Sequence, residues 1–206
     1  MKLIVCAGMP RAGSTLQWQV VESIVRLTEP KAPSRRGFRK CGPLLKQERP
    51  GFVVIKVHRF WDKTLPFKPK VITCFRDPRG FAASRMRIGW NLERVLQELP
   101  LRIENFNQWV AVPGALAMRY ESMIKDLVKT TLYIARWLEL PVTQEQAQKI
   151  AAECILDRHH TRGWEGHRIT RSDWKEDLTA AQQGRVVKVA EAFMLRVGYL
   201  KEAPTT

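Results

Sequence analysis

Gly8-Met9-Pro10-Arg11-Ala12-Gly13-Ser14-Thr15 joins the apolar run Lys2–Ala7 to the periodic stretch beginning at Leu16. A buried strand, a glycine turn and a helix in that order make a βα unit whose turn faces anions, because free N–H groups and the positive end of the helix dipole converge there. The spacing of Gly8 and Gly13 nearly matches the triphosphate loop GxxxxGK[ST], but Ser14 stands where that motif needs lysine. Such a lysine holds the β- and γ-phosphates while Ser/Thr and an acidic residue hold Mg²⁺. Here Arg11 lies inside the turn, and the one strand-then-Asp stretch, Val71–Asp77, interposes Arg76. The loop is suited to an anion and poorly suited to Mg·ATP. Ser14 also admits a plainer reading as an ordinary helix N-cap.

The same alternation continues along the chain. Residues 14–27 read as a helix with Leu16, Val20, Ile24 and Leu27 on one side, and 28–51 as a long surface segment without periodicity. The β-branched runs 52–57 and 70–75 read as buried strands, 78–88 and 91–110 as helices with Pro100 interrupting the second, and 114–120 as a further strand. A single amphipathic helix is expected over 122–140, then helices at 143–155 and 179–197 flanking a polar segment, 157–178. This order predicts an α/β fold in three layers, a mainly parallel central sheet flanked by helices, of the P-loop-like nucleotide-binding type, in a single domain over 1–206. Ligands of such sheets bind beyond the carboxyl ends of the strands. The loop, Lys56, His58, Arg76 and Tyr120 all fall at that edge.

Arg76 ends its strand and Ser84 follows eight residues on, an arginine fork and a hydroxyl able to grip a second phosphate. Taken alone, Arg76 reads equally as the partner of Asp77 or as a cap on a carbonyl. His58 reads alone as a strand-end cap, Tyr120 as core with a satisfied hydroxyl, and Trp18 as core.

The formal charge of +15 is concentrated: between Lys31 and Arg59 nine Lys or Arg face one acid, Glu48, giving +8. That block reads as a solvated face or as a surface for polyanions. Cys6, Cys41, Cys74 and Cys154 show no metal spacing and read as reduced thiols. With no signal-like or membrane-spanning run, a soluble, cytoplasmic protein is expected.

Five segments in order resemble a family. The stretch Gly8–Leu16 resembles the 5′-phosphosulfate loop of sulfotransferases, and Val71–Ser84 resembles their 3′-phosphate motif, a strand, then RDPRD, then a serine eight residues after the arginine. Ile55-Lys56-Val57-His58 is similar to the KTH segment, Arg119-Tyr120-Glu121 to RYED, and Asp173-Trp174-Lys175 with Leu178-Thr179 to the C-terminal GDWK and FT or LT elements.

The resemblance implies 3′-phosphoadenosine 5′-phosphosulfate (PAPS) as donor, adenosine 3′,5′-bisphosphate (PAP) as product, no metal, and a hydroxyl or amine acceptor; the charge of the basic block, taken by itself, suits an acidic or macromolecular acceptor. It implies a 5′-phosphosulfate seat from Pro10, Arg11, Ala12, Gly13, Ser14, Thr15 and Leu16, and a 3′-phosphate seat from Arg76 and Ser84, joined by Arg168 and with Tyr120 on the donor side. Arg11 and Lys56 would stabilise the leaving oxygen and His58 would take the acceptor's proton. The chain departs from the pattern in three places: Arg11 replaces the lysine of small-molecule enzymes, Arg59-Phe60 follows His58 in place of Leu-Pro, and His167-Arg168-Ile169 stands for RKG. A carboxylate in the acceptor cleft is the rival base. Two other classes compete: an ATP-dependent small-molecule kinase with a degenerate loop, and a non-catalytic basic nucleic-acid-binding protein, although no aromatic platform interleaves with the basic block.

Overall fold

The computed structural model describes residues 2–36, 50–60, 68–154 and 174–201. Five strands are described: β1 (Lys2–Cys6), β2 (Ser34–Arg36), β3 (Phe52–Lys56), β4 (Lys70–Phe75) and β5 (Leu116–Arg119). They form one sheet in the order β2-β3-β1-β4-β5, with every pairing parallel. The continuous apolar runs behave as expected of strands buried on both faces. Ile4, Cys6, Val54, Ile72 and Cys74 join the core cluster that includes Val20, Val21 and Ile24, while Leu3, Val5, Val53, Ile55 and Val71 pack with Trp109.

Helices flank the sheet: α1 (Ser14–Thr28), α2 (Pro78–Met86), α3 (Leu92–Val110), α4 (Tyr120–Lys125), α5 (Leu127–Leu138), α6 (Gln144–Glu153), α7 (Trp174–Asp177) and α8 (Ala180–Arg196). Their starts follow capping chemistry. Asp77 caps α2 by accepting from Arg79 N, Asn91 caps α3, and Thr143 and Thr179 each close a capping box with the glutamine three residues on.

Three expectations are corrected. The segment after α1 contains strand β2, whose three residues, Ser-Arg-Arg, carry no apolar signal and are placed by parallel pairing with Val54, Ile55 and Lys56 of β3. Pro100 does not interrupt α3: the helix runs through it, because Val95, Leu99, Phe106 and Trp109 bury one face and outweigh the lost backbone bond. The stretch 122–140 is two helices, since Asp126 takes an extended conformation and turns its carboxylate onto Lys129 N as the cap of α5.

Cys6, Cys74 and Cys154 are free and buried, as expected of core thiols, and burial pushes the Cys74 thiol up to about 12. Cys41 and most of the basic block, 37–49, lie outside the described residues.

Candidate active site

β1 delivers the chain to the carboxyl edge of the sheet, and the loop after it is pinned to β4: Ala7 N donates to Ile72 O at 2.8 Å and Met9 N to Cys74 O at 3.1 Å. That close approach demands glycine at position 8, where a Cβ would sit 2.4 Å from Cys74 Sγ. Arg11 takes the left-handed conformation at φ 67°, which folds the turn back under α1. Gly13, also left-handed at φ 81°, is the N-cap of α1 and supplies no side chain to the first turn. Ser14 is therefore the first helical residue and not the cap. With no side-chain cap from Gly13, the N–H groups that open α1 lie at the edge of the sheet in the arrangement that binds anions.

Lys56 ends β3 beside this turn and donates from Nζ to Thr15 Oγ1 at 2.6 Å. His58 lies two residues further on, with Nδ1 3.1 Å from Gly8 O. A carbonyl only accepts, so Nδ1 carries the hydrogen and Nε2 holds the lone pair. Burial first, and then the charge of Lys56, lower the His58 pKa to about 4, which leaves the ring neutral at physiological pH.

Arg76 directly follows β4 and is 3% exposed. Its neighbour Asp77 is not its partner: the Asp77 carboxylate pairs with Arg79 at 2.7 Å and caps α2. Arg76 instead stacks on the Tyr120 ring, 4.4 Å from its centroid, and donates from Nη1 to Arg11 O at 3.1 Å. Its Nε and Nη2 are buried without a hydrogen-bond partner among the described residues. Eight residues on, Ser84 Oγ accepts from Arg11 Nε at 2.8 Å. Burial lowers the pKa of Arg76 and of Arg11, the latter also through the charge of Arg76, yet arginine stays a cation near neutrality.

The structure thus brings together the loop, Lys56 and His58 on one side, and Arg11, Arg76, Ser84 and Tyr120 on the other. Arg11 links the halves by contacts to Ser84 and Arg76. Leu16 and Ala12 are buried, so near the loop they offer backbone alone, and Trp18 is core, with Nε1 donating to Ser34 Oγ at 3.0 Å. Arg168, with His167 and Asp173, lies outside the described residues. Trp174 lies under Arg79, with 4.0 Å between guanidinium carbon and ring centroid, Leu178 is buried, and Thr179 caps α8.

Other residues at the site carry no role in the sequence reading. Gln17, fully buried, donates to Ile72 O at 2.8 Å and so fixes the start of α1 to the end of β4. Glu121 accepts from Asp77 N at 3.2 Å and from Tyr199 OH at 2.5 Å, bracing the strand end that presents Arg76. Only its place beside Tyr120 in the Arg-Tyr-Glu segment signals it. Arg85 and Arg102 carry no spacing that marks them.

A parallel sheet with a lysine-free phosphate loop and a second cationic seat at the next strand end defines a P-loop-like group transferase. The family model described as "Sulfotransferase domain" matches residues 2–198, and the chain belongs to the sulfotransferase family. No curated protein sequence matches. Among solved structures the fold is similar to mouse sulfotransferase SULT7A1 complexed with PAP, at 18% identity and TM-score 0.70, covering 96% of this chain and 85% of that one. It is also similar to retinol dehydratase in complex with androsterone and inactive cofactor PAP, at 17% identity and TM-score 0.69, covering 100% and 82%. A complex of retinol dehydratase with retinol and PAP matches at 16% identity and TM-score 0.67, with the same coverage.

Proposed function

We propose that this chain, as a single domain over 1–206, transfers a sulfuryl group from PAPS to a hydroxyl or amine of an acceptor and releases PAP. One observation carries the reading: two donor groups of the buried Arg76 guanidinium lack partners among the described residues, and Arg11 links that guanidinium to Ser84 just ahead of a helix start without a side-chain cap. An unpaired buried cation costs several kcal/mol, so this half of the site is complete only with an anion in it. The donor nucleotide brings two anionic groups, and the edge of the sheet offers two seats. PAP bound to the similar sulfotransferase and retinol dehydratase structures supports the same ligand here.

In this reading Pro10, Arg11, Ala12, Gly13, Ser14, Thr15 and Leu16 enclose the 5′ group, chiefly through backbone N–H, while Arg76 and Ser84 hold the 3′-phosphate with Tyr120 behind the guanidinium. Arg168 is proposed to join them on the resemblance alone. His58 Nε2 accepts the acceptor's proton as the acceptor oxygen bonds to sulfur and the bond from sulfur to the 5′-phosphate oxygen breaks. Lys56, seated on Thr15, and Arg11 offset the charge left on that phosphate oxygen. Sulfuryl transfer resembles phosphoryl transfer in asking mainly for positioning and charge stabilisation.

No helix among the described residues is long and apolar enough to cross a membrane. We propose a cytoplasmic setting from that and from the free thiols.

Calorimetry and thermal shift test the donor. PAP is expected to bind and raise the melting temperature, with Mg·ATP having little effect. Stabilisation by Mg·ATP alone would sink the proposal in favour of a kinase.

A further inference from the structure

The donor reading, on which this section rests, uses Arg11, Lys56 and Arg76, and it leaves one buried cation over. Arg85 follows Ser84 on α2 and is 9% exposed. Its Nε is enclosed without a partner, and the guanidinium makes no hydrogen bond or ion pair to any described residue. Two rings hold it: Trp90, with the guanidinium carbon 4.2 Å from the centroid, and Phe81 at 5.5 Å. A guanidinium stacked on a ring is satisfied on its face only, so its in-plane N–H donors stay available for an oxyanion.

The surroundings add positive charge. Burial first, and then the charges of Arg102, Arg11 and Arg94, bring the pKa of Arg85 down to about 10, still a cation at neutral pH. Glu98 is the acid that offsets them, and its carboxylate is already paired with Arg102 one turn along α3. Arg102 in turn keeps a buried Nε without a partner among the described residues.

This cluster lies on the base side of the site. Asn105, on α3 three residues after Arg102, accepts from Phe60 N at 2.5 Å, which clamps this length of α3 to the segment carrying His58. Arg102 and Arg85 both act on the His58 ring.

We propose that Arg85, with Arg102 beside it, is an acceptor subsite for an oxyanion, a carboxylate or a sulfate ester borne by the same molecule whose hydroxyl faces His58. The subsite selects acidic acceptors over neutral ones of the same shape.

The test uses the full chain saturated with PAP, so that both donor seats are filled. Binding of methyl glucuronide against methyl glucoside, and of glucose 6-sulfate against glucose, is measured by ligand-observed NMR titration for wild type, Arg85→Gln and Arg85→Lys. In wild type at least one anionic probe is expected to bind about tenfold or more tighter than its neutral partner, the worth of one charge-assisted hydrogen bond. The pair that discriminates tells carboxylate from sulfate. Arg85→Gln is expected to abolish the preference, and Arg85→Lys, which keeps charge but not the fork, to retain part of it. PAP affinity is expected to be unchanged in both variants, which certifies their fold. Absent or equal binding of anionic and neutral probes, or a preference that survives Arg85→Gln, overturns the subsite. Failure of wild type to bind PAP would instead count against the donor reading.

Discussion

Arg11 Nε donates to Ser84 Oγ at 2.8 Å, joining residues 73 positions apart and tying the loop before α1 to helix α2. With the bond from Arg76 to Arg11 O, it ties the two proposed anion seats into one mechanical unit. Ser84→Ala removes a hydroxyl from the proposed 3′-phosphate seat and an acceptor from Arg11. PAP affinity is expected to fall about tenfold, roughly 1–2 kcal/mol, with the unliganded melting temperature close to wild type. Calorimetry beside a thermal melt checks both, and an unchanged affinity would remove Ser84 from the site.

Arg76→Met should separate binding from stability. The variant loses the fork for the 3′-phosphate, and PAP affinity is expected to fall by about 2–5 kcal/mol. The unliganded protein sheds a buried, partly unpartnered cation and is expected to be at least as stable as wild type in denaturant. A clear loss of unliganded stability would mean that Arg76 is held for packing on Tyr120.

His58 gives two pH signatures. Its folded pKa of about 4 lies below the ordinary value near ~6.5, so between these values the unfolded chain binds more protons and stability rises with pH. The contribution is fully present above ~6.5, amounts to about 3 kcal/mol at most, and is lost as pH falls through about 4. Denaturant melts of His58→Asn from pH 4 to 7 are expected to lack this slope. As the proposed base, neutral His58 is lost to protonation on the acid side only, and the asparagine variant is expected to lose about 10²–10⁴ in kcat/KM. Wild-type turnover in that variant would favour a carboxylate base, and Glu98→Gln would then be the variant to compare.

Gly13→Ala combines two penalties. The φ of 81° strains any L side chain, and the new Cβ would meet Tyr120 Cδ2 at 2.7 Å. Destabilisation of about 1–3 kcal/mol is expected. A larger relative loss of PAP affinity should accompany it, because the displaced ring is the one supporting Arg76. Stability equal to wild type would show that the loop relaxes around the methyl group.

Much of this was legible in the chain because its signals are local. The apolar runs at β1, β3 and β4 are buried on both faces and announce themselves without tertiary information. Gly8 and Gly13 mark a turn that other residues cannot make, and the arginine and serine eight apart mark the second proposed seat. Strand β2, the continuity of α3 through Pro100 and the break at Asp126 were not legible. Each depends on what the rest of the molecule offers: a free strand edge, a buried face strong enough to hold a proline, and a carboxylate better used as a cap.

The sequence by itself determined the order of elements, the edge of the sheet at which chemistry gathers, and the family, because strand runs, glycine turns and motif spacings are properties of neighbouring residues. Only the tertiary structure decided how the charges are shared. That Asp77 serves Arg79 and not Arg76, that Gly8 O selects the tautomer of His58, and that Arg85 lies buried on Trp90 with its Nε unpartnered among the described residues all follow from distance and desolvation. Burial is what turns an arginine from a solvated surface charge into a site that calls for an anion.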